Sequence, residues 1–157
     1  MLPISVCMIV KNEEKNIENC FQRLSRHPFE IVVVDTGSTD KTKELVKKYA
    51  DKLLDFLWCD DFSKARNFSI SQASNDWVLI IDCDEFVEEL DFTAIQKLMA
   101  EYPYAIGQLY RDNICYDKDH KPIHSYDYVE RLFDRRLYYY TGSIHEQVTS
   151  RDGSQLY

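Results

Sequence analysis

The sequence predicts an α/β fold: a mostly parallel central sheet flanked by helices, with an antiparallel part towards the C-terminus. Three observations lead there. Unbroken apolar runs recur at 4–10, 30–35, 53–58 and 77–82, and such runs suit strands covered on both faces. Between them lie segments whose apolar residues fall at helical spacing, so β and α alternate through residue 102, as in a parallel sheet wrapped by helices. After Pro103 the pattern changes to mixed polar and aromatic stretches around a turn, which reads as a hairpin.

Taken in order, Ile4–Val10 is a buried strand ended by Lys11-Asn12-Glu13-Glu14. Ile17, Cys20, Phe21 and Leu24 form the apolar stripe of a helix that Pro28 closes. Glu30–Asp35 is a second strand, and it too ends on a carboxylate. Thr36-Gly37-Ser38-Thr39-Asp40 then makes a turn and a helix start, with Ser38 or Thr39 as cap and Asp40 suited to the positive helix end rather than to a ligand. Thr42, Leu45, Val46 and Tyr49 continue as a helix, and Leu53–Trp58 is a third strand. Ser63 can cap a helix carrying Ala65, Phe68 and Ala73. The Trp77–Asp82 strand follows, then a helix marked by Phe92, Ile95, Leu98, Met99 and Tyr102. Residues 104–116 and 125–133 form the hairpin, and 137–140 and 144–148 flank Gly142 as short strands. Residues 1–148 are one domain; 149–157 read as a polar, frayed tail.

The bulk numbers exclude several classes. Lys plus Arg is 19 against 27 for Asp plus Glu, a formal charge of −8, where a nucleic-acid surface would be basic. The five cysteines are odd in number and none sits at CxxC spacing, which argues against zinc and disulfide frameworks and for a reducing cytoplasm. No apolar run approaches the ~18 residues of a membrane span, and the N-terminus enters the first strand without a signal-like leader.

The chemistry gathers at strand ends. Trp77–Glu85 reads Trp-Val-Leu-Ile-Ile-Asp-Cys-Asp-Glu, so burial stops at Asp82 and Asp84 follows at once. Paired carboxylates repel each other unless a cation lies between them, and Mg²⁺ and Mn²⁺ favour oxygen ligands. Glu13, Asp35, Asp82 and Asp84 all follow parallel strands, so they share the sheet edge where open α/β folds bind ligands. A metal and the hydrogen-bond donors of a ligand are the expected counter-charges. The plainer alternative is a solvated acidic loop. No GxxxxGK[ST] or GxGxxG occurs, which removes the P-loop and dinucleotide folds.

Four pieces in order resemble the family 2 glycosyltransferases of the GT-A fold: Asn12-Glu13-Glu14, Val-Val-Val-Asp-Thr-Gly-Ser-Thr-Asp at 32–40, Ala65-Arg66-Asn67, and Asp82-Cys83-Asp84. The resemblance extends over residues 1–148. Arg131-Leu132-Phe133 and Gly142-Ser143-Ile144-His145-Glu146-Gln147 further resemble a bacterial subgroup often joined to repeat domains. It implies a Rossmann-like domain that transfers a sugar, with inversion, from a nucleoside-diphosphate donor, usually UDP-linked, to an acceptor such as a glycan, a lipid-linked sugar or a protein. By the same resemblance Glu13 and Asp35 hold the nucleoside, Arg66 faces the diphosphate or supports the nucleotide pocket, Asp82 contacts the ribose or metal side, and Asp84 coordinates Mn²⁺ or Mg²⁺. Removing the acceptor proton needs a further carboxylate; Glu146 is the candidate, with Asp127 and Glu130 behind it. Arg66 has a plainer alternative in pairing with Asp60 or Asp61, and His145 in a structural role. Tyr138, Tyr139 and Tyr140 read as sheet packing, and His120 and His124 as surface. The competing functions are a non-catalytic sugar-nucleotide-binding domain, a haloacid-dehalogenase-like phosphatase, which also uses Asp-x-Asp and Mg²⁺, and a nucleotidyltransferase, which would carry a Gly-rich, basic first loop.

Overall fold

The computed structural model describes residues 3–154. Among the described residues, eight strands and four helices follow in the order β1 (Ile4–Val10), α1 (Ile17–Leu24), β2 (Glu30–Asp35), α2 (Thr42–Val46), β3 (Lys52–Asp55), α3 (Phe62–Ser71), β4 (Trp77–Ile80), α4 (Phe92–Glu101), β5 (Gly107–Tyr116), β6 (Pro122–Asp134), β7 (Tyr138–Thr141) and β8 (Gln147–Ser150). Six strands form one sheet in the order β3-β2-β1-β4-β6-β5. The first four are parallel, β6 runs antiparallel to β4, and β5 antiparallel to β6. The expected α/β architecture with an antiparallel C-terminal part is therefore present.

The apolar runs are continuous because both faces of the sheet are covered. Val6, Met8 and Val33 point to one face and meet the buried stripe of α1, Val46 of α2 and Ile95 of α4. Cys7, Val32, Val78 and Ile80 point to the other and meet Ile70 of α3 with Phe133, Tyr138, Tyr140 and Val148. That second face is completed by a separate β7–β8 hairpin. Asn67 holds the hairpin to α3: its side chain donates to the Tyr140 carbonyl at 2.8 Å and accepts from the Tyr140 N–H at 2.9 Å. An amide side chain thus takes the place of a neighbouring strand. Tyr138 and Tyr140 pack edge-on against Phe133, in line with their reading as packing residues.

Several element bounds differ from the expectation, for local reasons. Strand β3 stops at Asp55 and β4 at Ile80, ahead of the apolar residues Phe56–Trp58 and Ile81. The cap of α3 is Asp61, which accepts from the Lys64 N–H at 3.1 Å, while the Ser63 hydroxyl donates to Asp61. Neither Ser38 nor Thr39 caps α2, whose N-cap position is Lys41; both side chains turn to Asn12 instead. β8 runs to Ser150, so Thr149 and Ser150, expected in the tail, belong to the hairpin; residues 155–157 lie outside the described residues.

The β5–β6 pair is longer than the sheet it joins. Only Leu132, Phe133 and Asp134 of β6 pair with β4, so most of the two strands projects past the carboxyl end of β4 as a ribbon. Its base carries a bulge: Gly107 opposes Leu132 and Gln108 opposes Glu130, leaving Arg131 as the extra residue. A Cβ on Gly107 would sit 3.0 Å from Leu132 Cβ, so any larger residue there would have to push Leu132 aside by a few tenths of an ångström.

The opposite sheet end is tied together by Glu30. It accepts from the hydroxyls of Ser5 and Ser74 and from the Ser74 N–H, and pairs with Lys52 at 2.9 Å. Burial alone would raise its pKa, but these donors outweigh burial and hold it down to about 2. The folded value lies below the unfolded one, so this contribution is complete above the ordinary glutamate range and is lost as pH falls towards about 2. Glu30→Gln is expected to lower the urea midpoint at pH 7, with the two midpoints converging as pH falls through 4.5 to about 2; parallel midpoint curves for the two proteins would refute the assignment.

A candidate donor site at the carboxyl edge of the sheet

The loops after β1 and β2 are braced against each other. Asn12 adopts a left-handed backbone (φ 56°); its N–H donates to Ser38 Oγ at 2.9 Å and its Oδ1 accepts from the Thr39 N–H at 2.8 Å. The Glu13 N–H donates to Thr42 Oγ1 at 2.7 Å, and the Glu14 N–H to Asp40. Asp40 also accepts from the Thr42 N–H at 2.9 Å, so it serves the helix start. This bracing fixes one wall of a cavity of about 290 Å³, lined among others by Val10, Glu13, Thr36, Trp58, Phe62, Arg66, Asp82 and Asp84. It opens at the carboxyl ends of β1 and β4, where strand order diverges from the middle of the sheet.

Asp35 is buried, immediately before Thr36, which lines this cavity. Its Oδ1 accepts from the N–H groups of Gly37 and Ser38 at 2.9 and 2.8 Å, a turn that Gly37 permits with φ 109°. Its Oδ2 is buried and has no partner among the described residues, a costly state for a carboxylate oxygen and one that a ligand N–H or O–H would relieve. Glu13 lines the cavity with one oxygen accepting from Asn16 at 2.8 Å.

Asp82 stands between two buried arginines. Arg66 from α3 reaches it with N–O separations of 2.8 and 3.1 Å, and Arg131 from the β6 bulge reaches it at 3.1 Å. Arg66 continues to Glu146 at 2.5 Å, and Arg131 to Glu85 at 2.6 Å. Arg111 then joins Glu85 at 3.2 Å and holds Asp127 with two nitrogens. Charges alternate along this chain: Glu146, Arg66, Asp82, Arg131, Glu85, Arg111, Asp127. Burial works to raise the Asp82 pKa, but the two guanidinium groups outweigh it and hold the carboxyl below its usual value. The same carboxylates keep Arg66 and Arg131 protonated despite burial.

The sequence reading had assigned the balancing charge at this edge to metal and ligand. Much of it comes from Arg66, Arg131 and Arg111. The plainer alternative for Arg66 does not hold either, since its partners are Asp82 and Glu146 rather than Asp60 or Asp61. The sequence signal for Glu85, Arg131 and Arg111 is the excess of carboxylates, which a buried edge cannot leave unpaired.

Asp84 differs from Asp82. It is exposed, lines the cavity, and has no hydrogen-bond or ion-pair partner among the described residues. No three His, Cys, Asp or Glu side chains converge among the described residues to form a cage. Mg²⁺-type ions bound with substrate phosphates need only one or two protein carboxylates, so Asp84 fits that role, while Asp82 would first have to release an arginine. Glu146 sits in the loop after β7, beside exposed His145 (φ 55°), and that loop is fixed to the start of α3 by the Phe62 N–H donating to the Ser143 carbonyl at 3.0 Å. Asp127 is locked by Arg111, and Glu130 lines a different cavity with Ala94 and Leu98 of α4.

Known proteins resemble this chain in sequence and fold. The lipopolysaccharide core biosynthesis glycosyltransferase LpsC of Rhizobium meliloti is 32% identical over 111 residues, covering 68% of this chain and 40% of that protein. A TPR repeat-containing protein of Synechococcus elongatus is 41% identical over 85 residues, covering 54% of this chain and 21% of its own length. The chain thus spans well under half the length of these relatives. Among solved structures, Staphylococcus aureus TarS in complex with UDP is similar with a TM-score of 0.55 and 28% identity, covering 63% of this chain and 32% of that one. A mannosyltransferase of Pyrobaculum calidifontis, in complex with GDP-Man and Mn²⁺, shares the fold with a TM-score of 0.58 at 24% identity, covering 66% and 34%. Residues 5–152 match the model of Glycosyl transferase family 2, and the chain belongs to that family.

Proposed function

We propose that this chain binds a UDP-sugar together with Mn²⁺ or Mg²⁺ and transfers the sugar, with inversion, to a hydroxyl of an acceptor. The observation that carries the reading is the pair of unlike carboxylates at one sheet edge: Asp82 held between two buried arginines, and Asp84 exposed and unpaired beside it. A phosphatase using Asp-x-Asp would need the first aspartate free as nucleophile, and here arginines occupy it.

In this reading the unpartnered Asp35 Oδ2 accepts a hydrogen bond from the nucleoside, and Glu13 contacts it from the β1 loop. Arg66 lies on the cavity wall and meets the diphosphate. Asp84 would hold the divalent ion, which when bound neutralises charge on the departing nucleoside diphosphate. Glu146 takes the acceptor proton. In the donor-free state it is ion-paired with Arg66. A diphosphate that draws Arg66 towards itself loosens that pair, so the Glu146 carboxylate is freed for the acceptor only once the donor has bound. A reducing, cytoplasmic setting belongs to the same reading, since all five cysteines are unpaired.

Isothermal titration is expected to give UDP binding that strengthens with Mn²⁺, and Asp84→Asn to abolish the strengthening while leaving metal-free binding intact; equal affinity with and without Mn²⁺ would end the bridging role of Asp84. Asp35→Asn keeps an acceptor for Gly37 and Ser38 but replaces the free oxygen by a donor. It should weaken uridine and UDP alike by about 1–3 kcal/mol, metal or no metal, and an unchanged uridine affinity would remove Asp35 from the nucleoside site.

Glu146→Gln in the full-length protein is expected to reduce transfer by ~10²–10⁴-fold, with UDP affinity equal or higher because Arg66 is released. Normal turnover would exclude Glu146 as the base. The simple binding-domain alternative predicts UDP affinity with no transfer in either protein.

A further inference from the structure

The projecting β5–β6 ribbon has two unlike faces. Leu109 and Gly107 point to the side of the sheet that carries α4. By strand alternation Arg111 and Asp127 share that side, where they join Glu85. The other face carries Tyr110 opposite Tyr128, Asp112 opposite Tyr126, and Ile114 opposite His124. Tyr110, Tyr126 and Tyr128 are 60%, 58% and 66% exposed, and nothing among the described residues covers them. The rings are arranged as a group: Tyr110 and Tyr126 stack with centroids 5.6 Å apart, and Tyr110 and Tyr128 lie at 5.3 Å. At its far end His124 pairs with Asp112 at 2.8 Å.

This face lies on the same side of the sheet as α3 and the β7–β8 hairpin, the elements that supply Arg66 and Glu146. The ribbon rises from the carboxyl end of β4, where Asp82 sits, and its other face is bolted to that site through Arg111 and Glu85. The tyrosine strip is therefore fixed relative to the site. Two strands make a strip about 10 Å wide, and the paired positions from Gln108 to Ile114 run about 20 Å. That is far narrower than the ~800 Å² per partner of a standard protein interface, and it fits a single extended chain. An extended peptide would seek the unpaired backbone of an edge strand. Ring faces flanked by a carboxylate and an imidazole suit pyranose rings instead, whose C–H faces meet the negative π surface while hydroxyls reach Asp112 and His124.

We propose that this strip is the acceptor surface, a docking site for a linear glycan whose terminal hydroxyl is presented towards Glu146. The proposal rests on the transfer reaction above for its purpose, but its site is separate from the donor cavity.

The test measures retention of the full chain on immobilised cellohexaose, chitohexaose and maltohexaose, beside UDP titration with Mn²⁺. The wild-type chain is expected to be retained by at least one of the three. Tyr110→Ser/Tyr126→Ser/Tyr128→Ser should weaken that retention by roughly tenfold or more, with UDP affinity and melting temperature unchanged. Tyr126→Ser alone gives a smaller loss and covers the case in which the triple variant does not fold. No retention of the wild type on any of the three, or equal retention of the variants, overturns the proposal. A wild-type dimer in sedimentation that the triple substitution dissociates also overturns it, in favour of a second copy. Retention on a hexasaccharide without UDP binding would uphold the glycan strip and overturn the donor reading instead.

Discussion

The clamp on Asp82 is the constraint on which the rest of the edge depends. A carboxylate at the end of a buried strand is expensive to keep ionised, and breaking a buried pair by removing one partner is strongly destabilising. Here the partners come from two different elements: Arg66 from α3 on one side and Arg131 from the β6 bulge on the other. Each arginine needs a second anion, which brings in Glu146 and Glu85. Meeting one charge requirement thus positions the α3 helix, the β7–β8 loop, the ribbon and the 82–85 turn around a single point. The hydrophobic core stacks the layers, and this network sets their angular relation at the rim.

The network also explains why the two aspartates of Asp82-Cys83-Asp84 differ. Cys83 between them is buried, packed in the α1 side of the core with Cys20. It anchors the turn so that its neighbours point elsewhere, Asp82 towards the guanidinium groups and Asp84 to the open cavity. Two identical residue types two positions apart acquire unlike chemistry, one a fixed structural anion and the other a solvated, unpaired carboxylate. In a continuing strand they would have shared one side; the end of β4 at Ile80 is what separates them.

The fold was legible in the sequence because burial on both faces writes itself as unbroken apolar runs. Val32, Val33 and Val34 left no alternative to a covered strand. The helical stripes read equally well, as with Ile17, Cys20, Phe21 and Leu24. Caps were less legible: Asp61, Ser63, Ser38 and Thr39 are all competent acceptors, and tertiary geometry decided which one met a free N–H. In the site, Glu13, Asp82 and Asp84 could be placed together because they follow parallel strands. Arg131 and Arg111 could not, since they lie in the antiparallel part, where the bulge decides facing. Asn67 carries no pattern that distinguishes an amide pairing with a strand from one exposed on a helix.

The single extra residue at Arg131 has a wider effect than aiming one guanidinium group. Below it Phe133 and Leu132 point to opposite sides of the sheet in the usual alternation, and beyond it the alternation restarts out of phase. The β6 side chains of the ribbon take their facing from that offset, which keeps them in step with β5. Were Arg131 paired in register instead of bulged out, Tyr126 and Tyr128 would turn towards α4 and Asp127 to the opposite side, away from Arg111, with no change in composition. The bulge works as a phase setting: one position in β6 determines which of its side chains turn towards each side along an arm of nine residue pairs.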